Sequence, residues 1–116
     1  MKENINQWVR QQAAVQGVLA CGVRHSDDTL FFSALPANYT REGMENVFRC
    51  LAHTFQVLKL NQLPHQQVRW VYEQALLYGA SRADGGCLGV FTSKEPGTVN
   101  LEWLGKMLTE FPMLGL

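Results

Sequence analysis

The chain has 116 residues, of which 47% are hydrophobic and 17% charged, so it fits one domain with a single core and is too apolar for a disordered protein. Ten basic residues balance ten acidic ones, and without a basic run a nucleic-acid-binding or membrane-surface role is disfavoured. Its charged fraction is below the roughly 25% of typical domains, which is typical of a domain whose surface another chain covers and also of a domain of modest solubility.

The N-terminal residues and the cysteines predict a cytoplasmic protein. The opening stretch MKENINQWVRQQ is polar and lacks the apolar core of a secretory signal, and no segment approaches the roughly 20 apolar residues of a membrane span. Cys21, Cys50 and Cys87 lie far apart, and free thiols in a reducing compartment are their simplest interpretation. We expect one domain over residues 1–116.

The first part of the chain predicts a helix followed by two strands. Asn4 resembles the N-cap of a helix that runs to about Gln16, and Gly17 ends it. Residues 17–23 and 29–35 are short and almost wholly apolar, which is typical of strands that are covered on both faces.

The segment RHSDD between these two strands could hold a catalytic group, since it contains His25, Asp27 and Asp28. No nucleophile that these residues could activate is identifiable nearby, and Asp and Ser stabilise turns by hydrogen-bonding their own backbone. We therefore interpret the segment as the turn of a β-hairpin.

A long second helix is predicted from Thr40, a good N-cap, and Glu42, which complements the helix dipole. Apolar residues follow at helical spacing: Met44, Val47, Phe48, Leu51, Phe55 and Leu58. Cys50, Thr54 and Val57 widen this arc to roughly 180°, whereas a helix on one sheet needs only about 100°. The surplus predicts a second contact surface, unless another internal element covers it.

The second half of the chain predicts three strands and a final helix. Strands over 67–73 and 75–82 are joined tightly at Glu73-Gln74, and a type I′ turn at Asp84-Gly85 leads to a strand over 87–92. Thr98 or Asn100 caps the last helix. Its predicted buried stripe consists of Leu101, Leu104, Met107, Leu108 and Phe111.

The order α-β-β-α-β-β-β-α predicts an α/β (α+β) fold. Hairpin-linked strands form antiparallel sheets, and strands that are apolar throughout need helices on both faces. We therefore expect a three-layer α/β/α sandwich around a five-stranded, mainly antiparallel sheet.

Three other patterns indicate chemistry only loosely. The histidines (His25, His53, His65) and the cysteines lack metal-ligand spacing, although Cys50 and His53 could meet on one helix face. Cys87 begins a strand and has no assignable base. GASRADGG lacks the phosphate-loop spacing and the helix that should follow it. We expect no enzyme activity, no metal and no cofactor.

Five features together cover nearly the whole chain: GVLACGV, DDTLFFSAL, the long helix from Thr40, the strand meander ending in GCLGVFTS and the last helix beginning VNLEWL. With them the chain resembles the roadblock (dynein light chain roadblock) family. The resemblance implies a non-enzymatic module that dimerises and docks onto small Ras-like GTPases, motor subunits or scaffold proteins. It also implies that two copies pair one central strand into a continuous sheet, with their long helices side by side.

The positions that match this interface lie on the long helix and the third strand. They are Phe48, Leu51, Thr54, Phe55, Val57, Val68, Arg69, Trp70, Val71 and Tyr72. The aromatic residues among them suit an interface, where large rigid side chains dominate affinity. We expect a homodimer, with a small-ligand sensor, whose apolar pocket lies between sheet and helix, as the alternative function.

Overall fold

The computed structural model describes residues 2–33, 35–63 and 67–114, and the predicted order of elements is confirmed. The helices are α1 (Lys2–Ala13), α2 (Arg41–Leu60) and α3 (Leu101–Glu110), and a short 3₁₀-helix, Phe111–Met113, follows the last of them. The strands are β1 (Val18–Arg24), β2 (Leu30–Ser33), β3 (Gln67–Val71), β4 (Ala75–Ser81) and β5 (Cys87–Ser93). Residue 34 of the predicted second strand lies outside the described residues.

The five strands form one antiparallel sheet in the order β2-β1-β5-β4-β3. The central strands are buried almost throughout, as their apolar sequences predicted, while β2 and β3 are the edges. Within the described part of the chain, the β2 edge is four residues long. Arginines from two helices cover its aromatic rings, with Arg10 4.9 Å from the Phe31 centroid and Arg41 5.3 Å from that of Phe32.

The helices cover both faces of the sheet, so the predicted three-layer sandwich is confirmed. On one face α1 and α3 bury a core of Ile5, Val9, Cys21, Val23, Ala80, Leu88, Val90, Leu104, Met107, Leu108 and Phe111. On the other face α2 packs directly on two strand glycines. A Cβ atom at Gly89 would lie 2.6 Å from Cζ of Phe48, and one at Gly79 would lie 2.7 Å from Cδ1 of Leu51. These glycines let the large side chains of α2 reach the sheet.

Thr40 caps α2 as predicted, because its Oγ1 accepts a hydrogen bond from the backbone N–H of Gly43 at 3.0 Å. Replacing Thr40 with alanine removes this acceptor. We expect the free energy of unfolding, measured by urea titration, to fall by about 1 kcal/mol. Thr40→Ser keeps a hydroxyl and should retain most of that stability; an equal loss in both variants would assign the effect to the methyl group instead.

The first helix differs from its prediction at both ends. It begins at Lys2, so Asn4 lies within the helix and does not cap it, and it ends at Ala13 instead of Gln16. Lys and Glu are good helix formers, which explains the earlier start. Gly17 has a φ of 91° and turns the chain into β1 after several non-helical residues.

Two predictions in the second half are also wrong in detail. The turn at Asp84-Gly85 is not of type I′, because that type needs a positive φ at both residues and only Gly85 has one, at 95°. The hairpin is closed instead as a longer loop by Arg82 N, which donates to Gly86 O at 2.8 Å. Leu101 is 70% exposed although it was expected in the buried stripe of α3.

Candidate interaction surface

Strand β3 is an edge whose outer side has no partner among the described residues. Its inner side pairs with β4. Val68 and Trp70 are half-buried against the core under α2, whereas Gln67, Arg69 and Val71 alternate with them and are exposed. Such an edge presents unpaired N–H and C=O groups that can hydrogen-bond to another strand.

Apolar side chains lie exposed at the end of this edge. Val71 is 63% exposed and Tyr72 is 40% exposed, although its ring lies 6.0 Å from that of Phe91. Burial raises the pKa of the Tyr72 hydroxyl, and the Cys50 thiol on α2 raises the same pKa further. Val68 and Trp70 of this strand pack against the cluster that includes Leu51 and Phe55 of α2, so β3 lies beside that helix.

The outer side of α2 remains open, as its wide apolar arc predicted. Met44, Phe48, Leu51 and Phe55 form the buried side. Beyond it Cys50 is exposed, Thr54 is half-buried and Val57 is 41% exposed. Among the described residues no internal element covers Cys50 or Val57, so that alternative explanation of the arc fails for them.

The structure divides the ten predicted interface residues into two groups. Phe48 and Leu51 are fully buried and Phe55 is 8% exposed. These three belong to the core of the chain, because they lie on the side of the helix that faces the sheet. The other seven reach the surface at least in part: Thr54, Val57, Val68, Arg69, Trp70, Val71 and Tyr72.

Leu60, which was not among the ten predicted positions, is 74% exposed at the end of α2. It lies three residues after Val57, a spacing that places two side chains on one helix face. That spacing was the signal that could have identified it.

The segment that contains His25 is a turn, as interpreted from the sequence. His25 N donates to Thr29 O at 2.8 Å, and Asp28 N donates to His25 O at 2.9 Å. Asp27 accepts two hydrogen bonds from Thr29, which hold the pKa of its carboxyl well below the usual range. The buried His25 ring hydrogen-bonds through Nε2 to Asn6 Oδ1 at 2.8 Å, and burial lowers its pKa. Both side chains therefore hold the hairpin and tie it to α1.

The three thiols occupy different environments. Cys21 and Cys87 are buried, and burial raises the pKa of each to about 12, while Cys50 is exposed. In residues 2–33, 35–63 and 67–114 no three His, Cys, Asp or Glu side chains are grouped as metal ligands; His65 lies outside these ranges. Nor does any helix in the described part of the chain have the length and apolarity to cross a membrane.

Comparison with known proteins identifies the architecture. No protein-family model and no curated protein matches the sequence. A Roadblock/LC7 domain from Streptomyces avermitilis superposes with a TM-score of 0.67 over 91% of this chain and 90% of its own, at 15% identity. Myxococcus xanthus MglB superposes with a TM-score of 0.69 over 96% and 94% of the two chains, at 14% identity. The chain therefore has the fold of a roadblock-type domain.

Proposed function

We propose that this protein is a cytoplasmic, non-enzymatic interaction module that forms a homodimer by joining the β3 edges of two copies into one continuous sheet. The observation that carries the proposal is the unpaired β3 edge, at whose end Val71 and Tyr72 are exposed. A twofold axis perpendicular to the sheet would pair the two edges antiparallel. It would also place both α2 helices on the same face, side by side.

Two kinds of contact would hold this dimer. The β3 edge supplies main-chain hydrogen bonds, which give affinity in strand addition. The exposed Val57 on α2 and Tyr72 after β3 supply apolar area. The low charged fraction of the chain, 17%, agrees with a surface that is partly covered by another copy.

A small Ras-like GTPase or a scaffold protein is the proposed further partner, on the basis of the roadblock resemblance. Affinity capture of the tagged protein from a lysate of its native organism, with and without a non-hydrolysable GTP analogue, tests this part. We expect a Ras-like protein whose recovery depends on the nucleotide. Recovery of its own copies alone would contradict the GTPase partner and leave the dimer standing.

The alternative function, a small-ligand sensor, needs an apolar pocket between the sheet and a helix. The space between α2 and the sheet is filled by the protein's own side chains where Phe48 and Leu51 pack on the strand glycines, since a Cβ atom on Gly89 or Gly79 would lie only 2.6 or 2.7 Å from them. No other observation favours a ligand at this position.

Cys50 provides a direct probe of the proposed dimer, since it is the exposed thiol and lies on the open side of α2. We expect its alkylation by iodoacetamide, followed by mass spectrometry, to slow by at least about tenfold between dilute and concentrated protein, which corresponds to about 1.4 kcal/mol of protection. Cys50→Ser is the control and should abolish rapid labelling, because Cys21 and Cys87 are buried with pKa values near 12.

Sedimentation velocity over the same concentrations separates the outcomes. A dimer whose Cys50 reacts at an unchanged rate would place the interface elsewhere on the surface. A monomer throughout would contradict the proposed self-association itself.

A further inference from the structure

A groove lies between β3 and α3, on the face of the sheet opposite α2. Its volume is about 380 Å³, and its lining includes Arg69, Tyr78, Leu101, Gly105 and Leu108. The groove exists because α3 packs against β4 and does not extend over β3. The face of β3 on this side of the sheet is therefore uncovered. We call this groove the α3 groove. Leu101, 70% exposed, stands at its wall.

Gly105 is a residue that the fold of the isolated chain does not require. A Cβ atom at this position would meet nothing within 4 Å, and its φ is not positive. Glycine inside a helix is less favourable than alanine. Its lack of a side chain leaves a notch in the groove wall, where the backbone of another element can approach closely.

The charged side chain that lines the α3 groove is basic. Arg69 is exposed on its floor and forms no salt bridge with any residue in the described part of the chain. The described residues that line the groove include no carboxylate. An occupant that brings an acidic side chain would therefore gain an ion pair, and apolar residues beside it would cover Leu101.

We propose that the α3 groove docks an acidic amphipathic helix of a partner protein. On this face α1 and α3 cover the other strands and leave β3 bare, so a helix is the element that would complete the layer. Its apolar face would lie on Leu101, Leu108 and Tyr78, its backbone would pass close to Gly105, and a carboxylate would pair with Arg69. In helix-in-groove recognition the bound helix supplies apolar anchor residues at positions i, i+3 or i+4 and i+7.

The inference deepens the proposed interaction function and rests on it. In a dimer joined at β3, the α3 grooves of both copies would adjoin on the same face of the continuous sheet. The result is one trough with an α3 helix along each side and two Arg69 side chains on its floor. The α2 helices would lie on the opposite face and remain free for a different partner.

The test uses a phage-displayed library of amphipathic helices, with leucine along one face and the flanking positions varied among Glu, Lys and Ser. We expect selection against the full chain to enrich Glu. Gly105→Leu, which fills the notch, should weaken binding of the selected peptides by at least about tenfold. Arg69→Glu should weaken it similarly and enrich Lys when the selection is repeated.

Two variants serve as controls. Lys106→Leu adds the same side chain to α3 outside the groove lining, and Arg49→Glu makes the same charge change on α2. Both should bind the selected peptides as the wild type does.

Three results would overturn the proposal: no selected peptide, selected peptides without acidic enrichment, or undiminished binding to Gly105→Leu. Sedimentation of the same samples reports the dimer separately. A dimer with any of these three results refutes the groove alone. If the protein is monomeric and acidic peptides bind it in a way that depends on Gly105 and Arg69, the groove proposal is upheld and the dimer is refuted.

Discussion

Val71→Pro is expected to yield a monomer whose fold is unchanged. Tyr72 N donates to Ala75 O across the β3–β4 turn at 2.9 Å, and since antiparallel strands alternate the direction of their N–H groups, the N–H of Val71 points away from β4. Proline is tolerated on edge strands where the N–H faces outward. In the joined sheet the same residue lacks a donor and its ring obstructs the second strand. We expect the dissociation constant to rise at least about a hundredfold, or about 3 kcal/mol.

Val71→Thr is the matched control for this change. It alters the polarity of the same exposed side chain but keeps the backbone N–H and the β-branched shape that strands favour. Sedimentation equilibrium should show a dimer for Val71→Thr and a monomer for Val71→Pro, with identical far-ultraviolet circular dichroism. If Val71→Pro dimerises like the wild type, β3 is not the edge that pairs.

Phe48→Ala is expected to lower the free energy of unfolding by about 3–5 kcal/mol, a large share of the roughly 5–15 kcal/mol that a domain has. The Phe48 side chain is fully buried. Its ring packs edge-on to Phe32 at 5.3 Å between centroids and closes directly over Gly89. Since the backbone of β5 forms the floor beneath the ring, the cavity left by alanine has little means to collapse. Urea titration monitored by fluorescence measures the loss.

Leu60→Ala is the control on the same helix, because Leu60 is 74% exposed and its truncation should change stability by less than about 0.5 kcal/mol. A double-mutant cycle sharpens the test. Gly89→Ala should destabilise the wild type, where its Cβ would lie 2.6 Å from the Phe48 ring, and should cost much less in the Phe48→Ala background. Additive effects would mean that ring and glycine do not share this contact.

The order of elements could be predicted because its signals are local. Apolar runs, the Asp-rich turn and the Thr40 cap each specify structure within a few residues. The loop at Asp84-Gly85 was predicted in the right place but not in its geometry. The identity of a turn dipeptide does not determine how many residues the hairpin loop takes.

The candidate site could be predicted by segment but not by residue. The apolar arc of α2 spans roughly 180°, whereas contact with one sheet requires about 100°. Part of the arc therefore faces the sheet and part faces outward, and residue types alone do not tell which part Phe48 or Val57 belongs to. Leu101 shows the same limit. Its spacing matches a buried stripe, but its exposure depends on how far α3 extends over the sheet, which is set by packing between distant parts of the chain.

For the proposed dimer, the unequal edges of the sheet have a consequence for how far assembly can proceed. β2 is four residues long with both aromatic rings covered by arginines, whereas β3 is open. A subunit with two open edges could add neighbours on both sides and grow into a fibre. When two subunits pair through the same edge, neither subunit keeps an open edge. Assembly then stops at the dimer and is self-limiting.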